Sequence, residues 1–210
     1  MKRYLIPAAQ GTAEYTEKRS RFIGNVWHVQ SEEEAIAHIE EMREKYWDAT
    51  HNVYAYSVKE SGIMRYSDDG EPGGTSGQPT MNVFLQRELS DFCCVITRYF
   101  GGTLLGAGGL VRAYSKTAAM ALENAGVAEM QLRSRLLVRC SYPQFERIKA
   151  ELKNFDGVVI DTGFGADVTL SLTVAAEKAA DFSARVTELS AATATVEEEG
   201  ELLMPIKTES

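Results

Sequence analysis

Residues 136–196 constrain the fold most, because the period of their apolar residues switches between two and 3.6 in a fixed order. Residues 136–140 form a strand-like run. Ser141 with Gln144 then makes a capping box, Pro143 sits in the first turn, and Phe145, Ile148, Leu152 and Phe155 share one helical face. Residues 158–160 are strand-like again, glycines at 163 and 165 mark a turn, and Val168, Leu170, Leu172 and Val174 alternate strictly. Ala179, Phe182, Val186 and Leu189 make a second helical face, and residues 193–196 close as a strand.

The order β-α-β-β-α-β predicts a ferredoxin-like domain, two helices on one face of a four-stranded antiparallel sheet. It accounts for only the last third of 210 residues. A chain of this length suits two small domains, each with its own core, and the change of pattern sets them at 1–132 and 133–210. Charge does not mark this boundary, since 13 basic residues stand against 17 acidic in the first part and 9 against 13 in the second.

The first part mixes strands and helices less regularly, which makes the chain α+β. Residues 4–7 and 22–29 read as strands around a polar stretch. Ser31 and Glu34 form a capping box ahead of Ala35, Ile39, Met42 and Tyr46 at helical spacing, so a helix ends near Tyr46. Residues 53–58 and 92–97 read as strands, the latter continuously apolar and therefore buried. From Leu110 a helical face runs through Ala113, Tyr114, Thr117, Ala118, Ala121 and Leu122, with Asn124 and Gly126 as its stop.

Composition narrows the function classes. No apolar run reaches the roughly 20 residues of a membrane helix, and the start turns polar by Gln10, without the apolar core of a secretion signal. A cytoplasmic protein without membrane contact is expected. Cys93, Cys94 and Cys140 lack metal-like or redox spacing and read as free, buried thiols. A net charge of −8 opposes broad attraction to nucleic acid, so any RNA contact must be local.

Two segments carry candidate chemistry. Residues 67–79 hold four glycines, two prolines and the carboxylates Asp68, Asp69 and Glu71, with Thr75 among them. Such a loop can expose amides to an anion or offer carboxylates to a cation; equally, its aspartates can cap its own turns. Residues 98–114 run from Arg98 and Tyr99 through Gly101, Gly102, Gly108 and Gly109 to Arg112. A glycine-rich turn entering a helix suits phosphate, or else close backbone packing. Neither a P-loop nor a dinucleotide spacing is present, so no dinucleotide cofactor is expected. Between them stand His51 and Asn52. His51 with Asp48, Asp68, Asp69 and Glu71 could form an oxygen-rich metal site, but no fixed ligand spacing supports one, and a His that holds a loop by hydrogen bonds is favoured. Neither Ser67 nor Ser76 sits in a nucleophile elbow. Lys18, Arg19 and Arg21 form a basic cluster that either touches phosphates or simply faces water, as the acidic run at 197–199 and Glu201 does at an edge or tail. Residues 207–210 read as a frayed end.

Taken in order, Lys18 with 20–24, Asp48-Ala49, His51-Asn52, 67–72, Gly74-Thr75, Gly77, Pro79, 98–102, Leu105-Gly106, 108–110 and 112–114 resemble the YigZ/IMPACT family. The C-terminal pattern is similar to the extra domain of its bacterial YigZ branch. The resemblance implies an N-terminal domain with the α+β fold of a ribosomal small-subunit protein domain and of domain four of elongation factor G, and a C-terminal domain like domain five of that factor. It also implies translation-related binding: the eukaryotic members restrain a starvation-sensing kinase of translation initiation. Gly73, Gln78 and Leu104 depart from the serine and two lysines common in the family. The expectation is therefore a non-catalytic, translation-associated binding protein without cofactor or metal, engaging RNA, the ribosome or a protein partner. The surface expected to do so comprises His51, Asn52, Asp68, Asp69, Glu71, Thr75, Arg98, Tyr99, Gly101, Gly102, Gly108, Gly109 and Arg112. The alternative is a metal- or phosphate-dependent hydrolase or transferase using Asp68, Asp69, Glu71 and His51.

Overall fold

A computed structural model describes residues 3–207. They divide into two compact units, one of residues 4–129 with 205–207 and one of residue 3 with 130–204.

The N-terminal unit contains, in chain order, β1 (Tyr4–Pro7), β2 (Gly11–Glu17), β3 (Ser20–His28), α1 (Glu32–Lys45), β4 (His51–Val58), β5 (Ile63–Ser67), α2 (Gly77–Leu85), β6 (Phe92–Tyr99) and α3 (Ala107–Ala125). Strands pair antiparallel in the order β2-β3-β6-β4-β5. Both sheet faces are covered. Phe22, Val26, Val53, Ala55, Phe92, Cys94 and Ile96 face α2 and α3. Trp27, Tyr56, Val58, Cys93 and Val95 face Ala35, Ile39 and Met42 of α1. This two-sided burial is why the β6 sequence is continuously apolar rather than alternating. Ser31 caps α1 as its sequence predicts, accepting the Glu34 N–H at 3.2 Å.

Three elements of this unit depart from the sequence reading. The polar stretch before residue 22 contains β2, whose inward residues Gly11 and Ala13 are too small to read as an apolar alternation. Gly11 is small for a reason: a Cβ there would lie 2.1 Å from the Ala121 carbonyl oxygen of α3. Residues 63–67 form β5, an edge strand with little burial to mark it. The long loop also ends early, because Gly77 and Pro79 belong to the first turn of α2, where neither residue disrupts a helix.

The C-terminal unit contains most of β7 (Val127–Cys140), then α4 (Tyr142–Glu151), one 3₁₀ turn, β8 (Val158–Phe164), β9 (Val168–Ala175), α5 (Ala179–Leu189) and most of β10 (Thr195–Lys207). The order is β-α-β-β-α-β, with β9 between β8 and β7 and β10 beside β7. That is the ferredoxin-like sheet. Leu136, Val138, Leu170, Leu172 and Val174 pack on Phe145, Ile148, Leu152, Phe182 and Val186, one side of the sheet against both helices. The acidic run lies exposed on β10, which continues to Lys207, so Lys207 closes a strand and is not a frayed end. Residues 208–210 lie outside the described residues.

Candidate functional site

The register of three neighbouring strands places His51 of β4, Arg98 of β6 and Phe22 of β3 in one row across the sheet. Phe22 meets the Tyr114 ring of α3 edge-on at 5.2 Å, so this row lies under that helix. The loop at 68–76 closes over the end of the row. It brings Glu71 down into it.

Glu71 is only 8% exposed. Its Oε1 accepts hydrogen bonds from Arg98 Nη1 at 2.6 Å and Tyr114 Oη at 2.7 Å, and its Oε2 is 3.8 Å from His51 Nε2. Arg98 reaches further, donating from Nη2 to Ser20 Oγ, which also accepts the Gly101 N–H. Burial, then the Glu71 charge and hydrogen bond, push the Tyr114 phenol far above its ordinary range, so it stays protonated as a donor. Arg98 is thus a buried, paired cation whose charge is largely spent on Glu71.

The other two carboxylates are also committed to the chain. Asp68 Oδ1 accepts from Ser76 Oγ and from the N–H groups of Ser76 and Gly77, and its Oδ2 from the Gly74 N–H at 2.8 Å. It therefore closes the loop and caps the start of α2 together. Burial alone would raise its pKa, but the Ser76 hydroxyl and the three amides outweigh this and hold the carboxyl below its ordinary range. Asp69 sits at φ 45°. Its Oδ2 accepts the Asn52 N–H at 2.6 Å and its carbonyl lies 2.7 Å from His51 Nδ1. Asn52 Oδ1 accepts from Thr97, and Thr75 donates to the Pro72 carbonyl. Among the described residues, no three His, Cys, Asp or Glu side chains gather as a metal-holding group.

The two glycine-rich segments meet at a cleft of about 400 Å³. Its floor is His51, Glu71 and Arg98; its walls are Pro72, Phe100, Leu104, Leu105, the first turn of α3 and Leu110. Phe100 is 46% and Leu104 83% exposed. Gly101 permits the approach, since a Cβ there would lie 2.1 Å from the Arg19 carbonyl carbon in the β2–β3 turn. Gly102 and Gly106 have φ of 80° and 70°, turning the chain into α3, while Gly108 and Gly109 form its first turn.

Arg112 stands on another wall. With Lys18 and Lys116 it lines a groove of about 280 Å³ that shares Leu105 with the cleft and also includes Tyr15, Glu17 and Gly109. The basic cluster is divided: Lys18 enters this groove, Arg19 occupies the hairpin turn at φ 68°, and Arg21 pairs with Glu14 at 2.7 and 2.8 Å. Tyr99 donates to Asp48 at 2.8 Å. Phe100, Leu104 and Tyr114 lie within the segment 98–114 that the sequence singles out but outside the residues it assigns to the binding surface, and Lys116 lies beyond that segment. Lys116 follows Arg112 by one helical turn, a spacing that could have found it.

The Impact N-terminal domain model matches residues 18–122, half of the chain. The chain belongs to the IMPACT family. The matched span contains every cleft and groove residue named here except Tyr15 and Glu17. A second model, "Domain of unknown function (DUF1949)", matches residues 138–193 in the C-terminal unit. The IMPACT family member YvyE of Bacillus subtilis is 36% identical over 95% of this chain and 92% of its own, and the IMPACT family member YigZ of Escherichia coli is 35% identical over 90% and 95%. A crystal structure of a hypothetical protein, 34% identical, aligns over 93% of this chain and 97% of that one with a TM-score of 0.60. No helix among the described residues is long and apolar enough to cross a membrane.

Proposed function

We propose that this IMPACT-family chain is a translation-associated regulator in the cytoplasm that acts by binding, engaging RNA presented by the ribosome through the cleft and its basic groove. One observation carries the reading. The loop carboxylates Asp68, Asp69 and Glu71 are each taken up by donors of the chain itself, whereas the outward surface offers Phe100 and Leu104 beside Lys18, Arg112 and Lys116. A hydrolase built on those carboxylates would have to break the loop to free them. Apolar surface next to a few cations suits local contact with RNA, compatible with a net charge of −8.

Co-sedimentation with ribosomes and RNA binding across a salt series test this. If Lys18, Arg112 and Lys116 each meet a phosphate, log affinity for single-stranded RNA falls against log salt with a slope of about −2. Absence of binding to both ribosomes and RNA at low salt refutes the reading.

A further inference from the structure

Four features of the cleft point to a more specific occupant, on the premise that the surface binds RNA. First, α3 begins at the cleft with no side-chain cap and no acidic residue in its first turn. The first N–H groups of a helix have no intrahelical acceptor and carry its positive end. Gly106, Ala107 and Gly108 are exposed there. Secondly, Arg112 Nη1 lies 3.5 Å from where a Cβ on Gly108 would be. A cation beside the positive end of its own helix is unfavourable unless an anion joins them.

Thirdly, Arg98 lines the cleft while 95% buried, as its 5% relative exposure states. Glu71 and Ser20 take its two terminal nitrogens, but its Nε is buried with no acceptor among the described residues. A buried, charged donor left unpaired is costly, so the floor of the cleft holds a cation that the chain itself does not fully satisfy. Fourthly, the Arg98 guanidinium lies over the Phe100 ring, 5.5 Å from its centroid, and that ring remains 46% exposed. A ring backed by a cation and open to solvent is a stacking platform for a flat, electron-rich partner.

We propose that the cleft seats one unpaired nucleotide of an RNA strand. Its phosphate rests on the first-turn amides of α3 beside Arg112, and its base lies against Phe100 with Leu104 as the outer lip. The cleft volume of about 400 Å³ is of the size that holds a small ligand. The adjoining groove, with Lys18 and Lys116, carries the strand onward. A peptide carboxylate would answer the helix end and leave the aromatic platform unused.

Fluorescence anisotropy on the full chain tests this with a labelled, unstructured oligoribonucleotide of about eight nucleotides, its duplex, uridine monophosphate, inorganic phosphate and polyglutamate. The single strand should bind at least about tenfold tighter than the duplex, and the monophosphate should compete better than phosphate. Phe100→Ala and Arg112→Gln should each weaken single-strand binding about tenfold. Leu104→Glu, at a position 83% exposed, should do likewise with the circular dichroism spectrum unchanged. Equal affinity for duplex and single strand, or native affinity in these variants, overturns the nucleotide seat while leaving RNA binding intact. Polyglutamate competing as well as the monophosphate, with no response to Phe100→Ala, also overturns it in favour of a plain anion site. Failure to bind any RNA or ribosomes removes the seat and the binding reading together.

Discussion

Asp68 and Glu71 have the same chemistry in sequence and different duties in space. Asp68 gathers four donors from residues 74–77, so Asp68→Ala leaves several of them without an acceptor. We expect a loss of about 2 kcal/mol, read by urea unfolding. Because its folded-state pKa is depressed, the native loop binds this proton more weakly than the unfolded chain. Its stabilisation is therefore complete above the unfolded pKa of about 3.9 and disappears as pH falls through the lower folded value. The stability gap between native protein and Asp68→Asn should shrink across that window and stay constant near neutrality. Glu71→Gln leaves buried Arg98 without its counter-charge, and should cost about 3 kcal/mol by the same measurement. The loop carboxylates were visible as a cluster, and turn-capping by aspartate was one of two open readings. The sequence could not say which of the three would be buried, because Glu71 meets Arg98 and Tyr114 from 27 and 43 residues away.

At the scale of elements, α3 lies so close to β2 and β3 that glycine is needed where they cross. A Cβ on Gly11 would stand 2.1 Å from Ala121 O, and one on Gly24 2.8 Å from Thr117 Cγ2. Gly11→Ala should destabilise the protein by at least about 2 kcal/mol, with thermal unfolding as the measure. Elements with a strong period were legible: α1, α3, α4, α5 and β9 follow from their apolar spacing. The elements missed were β2, β5 and α2. β2 and β5 lack a large apolar stripe, since β2 is narrowed by contact with α3 and β5 lies at an edge, while α2, which buries Met81 and Phe84, starts inside a glycine- and proline-rich loop that masks its beginning. Tertiary contact, and no local propensity, defines them.

Across the whole molecule, three hydrophobic cores form among the described residues, and each buries one cysteine: Cys94 and Cys93 on opposite faces of the N-terminal sheet and Cys140 in the C-terminal unit. Burial pushes each thiol up, away from the reactive thiolate. The native protein should react slowly with an aromatic disulfide at about pH 8, and all three thiols should react once it is denatured. Fast native labelling would show that a core opens locally. Arg133, fully buried and donating to Thr173 and the Asp156 carbonyl without a carboxylate within salt-bridge distance among the described residues, has no counterpart in any sequence signal. The amino-acid order by itself determined the α+β class, the ferredoxin-like half and the two segments from which the cleft is made, because periodicity and turn chemistry act between near neighbours. Only the tertiary structure decided that the acidic loop spends its charges inward and that Phe100, Leu104 and the start of α3 face outward. Burial and pairing depend on partners brought together by the sheet, and chain distance carries no record of them.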